Sequence, residues 1–69
     1  MSNVKKFIKL HTRAGNAPVI INTDVVNDIT YDVKGKYSVI TFINENSCVD
    51  VIENVEKIYA MMYETNTAK

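Results

Sequence analysis

Helical spacing of apolar residues occurs once in this chain, and late. Val55, Ile58, Tyr59 and Met62 recur at i, i+3, i+4 and i+7, which at about 100° per residue draws one stripe about 100° wide. Before Asn54 the chain runs instead as short β-type segments broken by turn residues. Residues 6–12 alternate, with Ile8 and Leu10 on one face and Lys9 and His11 on the other. Residues 19–22, 29–32, 37–43 and 47–51 read as further strands. This order predicts a single α+β domain, a small antiparallel β-meander of four or five strands followed by one C-terminal amphipathic helix.

The breaks carry their own chemistry. Gly15-Asn16 makes a turn because both residues tolerate positive φ. Pro18 opens the second strand, where its missing N–H does least harm. Asn22 or Thr23 caps a single helical turn through Val25-Val26. Residues 33–36, around Gly35, and residues 44–46 form the later turns. Asn54 is a good helix N-cap, and Glu53 and Glu56 sit where the helix dipole favours acid. Residues 1–5 read as a flexible arm, 6–65 as the domain and 66–69 as a frayed end.

The expected core comprises Phe7, Ile8, Leu10, Val19, Ile20, Ile21, Val25, Val26, Ile29, Val39, Ile40, Phe42, Val49, Val51, Val55, Ile58 and Met62. With 69 residues the stability margin is thin, since domains this small bury only about 60% of their unfolded surface. Natural domains of this size draw support from disulfides, metals or partner chains. Cys48 is the only cysteine and His11 the only histidine, which removes disulfides and disfavours a metal site. A partner chain remains, and self-association into a homo-oligomer is the expectation. The lone cysteine and the lack of a leader-like apolar segment fit a cytoplasmic setting. No apolar run approaches the roughly 20 residues of a membrane span, so no membrane partner is expected.

No reactive centre is legible. Cys48 as nucleophile with His11 as base is the one conceivable pair, and each reads more simply as a strand residue, His11 on a solvated face. Glu53 and Glu56 are explained by the helix dipole. Gly15 and Gly35 are isolated and form no phosphate loop. The expectation is therefore a non-enzyme with no cofactor, no metal and no small-molecule substrate.

The net charge is zero but unevenly spread. Lys5, Lys6, Lys9 and Arg13 form a candidate basic patch with no acid among residues 1–13, while residues 37–69 carry Glu45, Asp50, Glu53, Glu56 and Glu64 against Lys57 and Lys69. Such patterning suits solvated faces, complementarity between copies, or a nucleic-acid contact with Tyr31 and Tyr37 as stacking groups. A sequence pI of about 6.5 argues against strong nucleic-acid binding, whose domains usually exceed about 9. Val39, Ile40, Phe42 and Ile43 place apolar groups on both faces of one strand, which suits a central strand or one covered by a partner. Tyr37, Val39 and Ile43, with Met61 and Tyr63 flanking the helix stripe, are the candidate protein interface.

Ile8-Lys9-Leu10 with Thr12-Arg13 and Gly15, followed by residues 19–26 (Val-Ile-Ile-Asn-Thr-Asp-Val-Val) and Ile29, resembles the FlbD-like (swarming motility protein) family. Val39-Ile40-Thr41-Phe42 is similar to that family's Val-Ile-Thr-Leu strand, and residues 49–51 followed by Val55-Glu56-Lys57-Ile58 to its last strand and helix. The resemblance covers about residues 7–62, with Asn22 and Asp24 as its distinctive polar pair. Ala14 replaces the family's leucine, and Glu45 the glycine of its last hairpin. The resemblance implies a non-catalytic cytoplasmic protein acting through protein contacts, in some members in support of flagellar motor output. A phage or mobile-element origin fits the departures equally, and a small nucleic-acid-binding regulator is the alternative function.

Overall fold

The computed structural model describes residues 4–63. Strand β1 (Phe7–His11) buries Ile8 and Leu10 and turns Phe7 and Lys9 outward, as its alternation requires. The chain then reverses over Gly15 (φ 86°) and Asn16 (φ 52°), where a side chain at Gly15 would be strained by the backbone alone. Thr12 stitches this turn: its hydroxyl donates to the Ala14 carbonyl at 2.8 Å and accepts from the Ala17 N–H at 3.0 Å. Strand β2 (Pro18–Asn22) returns antiparallel, pairing Ile21 with Ile8 and Val19 with Leu10.

Of the two expected caps, Asn22 is the one used. Its side chain accepts from the Asp24 N–H at 2.9 Å and starts a single 3-10 turn, Thr23–Val25. The third strand, β3 (Val26–Asp32), begins at Val26 rather than at Ile29, because Val26 leaves the helical turn to pair with Phe42. A bulge between Val26 and Asp28 lets the strand continue to Asp32. Strands β4 (Tyr37–Phe42) and β5 (Cys48–Val51) complete an antiparallel sheet in the order β3-β4-β5. Helix α1 (Val55–Met62) follows, with the Asn54 side chain accepting from the Lys57 N–H at 2.7 Å as N-cap.

The α+β class is as expected, but the strands divide into two sheets, β1-β2 and β3-β4-β5. A short seam joins them. Thr12 bridges Val51, the Arg13 N–H donates to the Asp50 carbonyl at 2.8 Å, and the Ile52 N–H donates to the His11 carbonyl at 2.9 Å. The core lies between the sheets and under α1: Ile8, Leu10, Ile21, Ile40, Val51 and Ile58 are buried, with Met61, Met62 and Phe42 among those packed around them. Each buried aliphatic side chain contributes about 1.5–3 kcal/mol relative to exposure.

Several apolar residues lie outside this core. Phe7 is 55% and Ile20 61% exposed, since both alternate with the buried set, and Val25 is exposed on the 3-10 turn. The inner stripe of α1 is centred on Ile58 instead of between Ile58 and Tyr59. That rotation brings Met61 onto the core and leaves Tyr59 63% exposed, reversing the expected roles of the two. At the other end, the Lys5 N–H donates to the Met62 carbonyl at 2.8 Å and the Thr23 hydroxyl donates to the Lys5 carbonyl at 2.6 Å. The remainder of the expected arm, residues 1–3, lies outside the described residues, as do Glu64, Thr65 and the expected frayed end 66–69.

Candidate interaction surfaces

Strand β4 separates its side chains cleanly. Ser38 and Ile40 are fully buried, while Tyr37, Val39 and Thr41 alternate onto the opposite, outward face. Two of the sequence-designated interface residues, Tyr37 and Val39, therefore share one face. Ile43 lies just past the strand's end and is 46% exposed. Across the ladder, Asp32 pairs with Tyr37 on one side and Asp50 with Val39 on the other, which frames the apolar row with carboxylates.

Tyr37 is the anchor of this face. The Arg13 guanidinium, carried over from β1 by the seam, sits 4.1 Å from its ring centroid. Its ring also lies against Gly35, where an added Cβ would overlap the Tyr37 ring edge, so the turn needs glycine for close approach and not for φ. The Asp32 carboxyl accepts from the Gly35 N–H at 3.0 Å, and this bond, then one from the Tyr37 hydroxyl, lowers its pKa below the ordinary 3.8. Conversely, the bond to Asp32 and its charge raise the Tyr37 phenol above its ordinary 10.0.

Met61 and Tyr63 do not join that face. Met61 packs on the core, and Tyr63 packs on Tyr59 with ring centroids 4.6 Å apart and planes tilted by 42°, along a furrow between α1 and β3. Two of the candidate basic residues have partners of their own. Arg13 is engaged on Tyr37, and Lys6 approaches Asp24 at 3.8 Å and the Phe7 ring at 5.9 Å, while Lys9 projects from β1. Tyr31 lines a depression with Asn54, Val55 and Glu56, in which none of the candidate basic residues takes part.

The structure adds a pair the sequence reading did not find. Glu53 is only 8% exposed, and its carboxylate accepts from the His11 N–H at 3.1 Å and meets His11 Nδ1 at 2.7 Å. Burial, the largest influence on this carboxyl, pushes its pKa up. The bonds from the His11 ring and backbone oppose that and hold it below its ordinary 4.5. The Ser38 hydroxyl donates to the Glu53 carbonyl at 2.6 Å, fixing the same residue from the second sheet. Glu53 thus extends the seam: its side chain satisfies β1 backbone where no strand continues. It is not a helix-dipole acid, and His11, although half-exposed on its strand, is bonded to it through both backbone and ring. The alternation Val49, Val51, Glu53 is the signal that places Glu53 inward.

His11 and Cys48 line different depressions, the first with Asn16, Glu53 and Lys57, the second with Thr12, Arg13 and Asp50. Among the described residues, no three His, Cys, Asp or Glu side chains cluster as a metal site, and no helix is long and apolar enough to cross a membrane. No family model, curated protein or solved structure matches the chain.

Proposed function

We propose that this chain is a non-catalytic protein–protein interaction module that associates with a second copy of itself through the outward face of β4. The observation that carries the reading is the row Tyr37, Val39 and Thr41 on the side of β4 opposite the core, continued by exposed Ile43. A second copy is favoured over another partner because the face bears both charge signs. Arg13 lies at one edge and Asp32 and Asp50 flank the row, so a two-fold arrangement can set Arg13 of each copy against a carboxylate of the other. The thin core supplies the need, with only six buried hydrophobic residues among those described.

The edges are poorer candidates for self-pairing. Strand β2 starts with Pro18, and β3 carries a bulge together with Asp28 and Asp32, which repel an identical strand. A nucleic-acid role has less support, since Arg13 is engaged on the Tyr37 ring and Lys6 on Asp24. The same reading puts the chain in a reducing cytoplasm, supported by the free, exposed Cys48. By resemblance to the FlbD-like family it extends to flagellar output. Unchanged swarming of a deletion strain would remove that extension and leave self-association standing.

Light scattering tests the central reading. The parent should run above monomer mass, and Val39→Asp should return it to monomer without loss of circular-dichroism signal. A parent that stays monomeric at high concentration overturns self-association.

A further inference from the structure

Strand β3 ends its sheet and has a strand neighbour on one side only. Its free side faces α1 across a furrow of about 440 Å3, floored by Val26, Ile29, Val55 and Met62. Tyr59 and Tyr63, one helical turn apart, form an exposed aromatic wall. Val55 also lines the adjoining depression, which carries the furrow on to Tyr31 and Glu56. Two features of this furrow define an occupant. First, an open strand edge beside a helix is a geometry that receives extended peptides, with main-chain bonds to the edge and alternate side chains directed to the floor. Second, among the described residues the charged side chains lining it are Asp28 and Glu56, with no lysine or arginine.

We propose that the furrow between β3 and α1 binds an extended cationic peptide, with its aliphatic side chains on the floor and its lysine or arginine side chains against Asp28, Glu56 and the exposed tyrosines. Asp28, which repels an identical strand, attracts a basic one. Exposed tyrosine rings add cation–π contacts, which suit a guanidinium or ammonium and do nothing for a carboxylate. This surface is distinct from the β4 face, so either can fail without the other.

The test is fluorescence anisotropy with a labelled peptide alternating lysine and valine, and with its glutamate–valine counterpart. The lysine peptide should bind and the glutamate peptide should not. Asp28→Asn with Glu56→Gln should weaken binding up to about tenfold, as expected for two exposed charge pairs. Tyr59→Ala should weaken it further while leaving the circular-dichroism spectrum unchanged, because Tyr59 lies outside the core. Amide shifts on titration should map to β3 and α1. Equal binding of both peptides, or binding indifferent to all three substitutions, overturns the proposal. Loss of oligomer mass on Tyr59→Ala in the absence of peptide assigns the furrow to a second copy and overturns it too.

Discussion

Replacing Glu53 by alanine removes the one side chain that ties the β1 backbone to the β5–α1 junction. The carboxylate holds two hydrogen bonds from His11, at 3.1 Å and 2.7 Å, and is itself almost wholly buried. A hydrogen bond to a charged group contributes about 1.5–3 kcal/mol, but His11 is half-exposed and recovers part of the loss from water. The expected cost of Glu53→Ala is therefore about 2–3 kcal/mol. A 69-residue domain has roughly 3–10 kcal/mol in total, so the fraction lost is large. At about 4–8 °C per kcal/mol, Tm should fall by roughly 10–20 °C. Glu53→Gln keeps one carbonyl oxygen for the His11 N–H and should cost about 1 kcal/mol.

Urea denaturation followed by circular dichroism measures both variants. Acid provides a second axis. Because the folded Glu53 carboxyl titrates below its ordinary 4.5, its contribution is present above that value and is lost as the pH falls through the lower folded value. The stability gap between the parent and Glu53→Gln should accordingly narrow as the pH falls below 4.5. A Glu53→Ala variant within about 0.5 kcal/mol of the parent, or a gap that ignores acid, would refute the account of the seam.

The helix rotation makes a paired test. Ile58→Ala should cost about 2–5 kcal/mol and leave much of the protein unfolded, whereas Tyr59→Ala should change stability by less than about 1 kcal/mol; equal costs would contradict the rotation. On the β4 face, ultraviolet titration should find the Tyr37 phenol above 10.0 and returning toward it in Asp32→Asn, while an unmoved phenolate midpoint would remove the Asp32 bond from the description.

The strands were legible wherever alternation was uninterrupted. Ile8 and Leu10 inward against Lys9 outward defined β1, and Gly15-Asn16 marked its turn because positive φ favours those residues. Asn54 was readable as a cap, and Asn22 as one of two candidates, because their side-chain oxygens accept from backbone N–H groups at a helix start. What escaped depended on long-range geometry. The way the two sheets meet depends on the seam between His11–Arg13 and Asp50–Ile52, about forty residues apart in sequence, and no local pattern encodes it. Tyr59 and Met61 exchanged roles because a three-and-four spacing leaves the helix free to rotate by tens of degrees, and packing of Ile58 decides the angle. Phe7 and Ile20 were counted into the core by residue type, although their own alternation points them out. Glu53 was hidden by its position beside the helix cap, where a dipole explanation sufficed and the inward phase of β5 went unused. Tyr37 and Val39 share one face of β4 as the apolar run on both faces of that strand suggests, whereas Met61 and Tyr63, which flank the helix stripe, lie elsewhere.

The proposed self-association is most directly tested by amide chemical shifts of the parent protein across a dilution series. Association through the outward face of β4 should move the resonances of Tyr37, Val39, Thr41 and Asp50 with concentration and leave those of Tyr59 and Ile20 in place. Concentration-dependent shifts confined to β2, β3 or α1, or spectra that do not change on dilution, would contradict it.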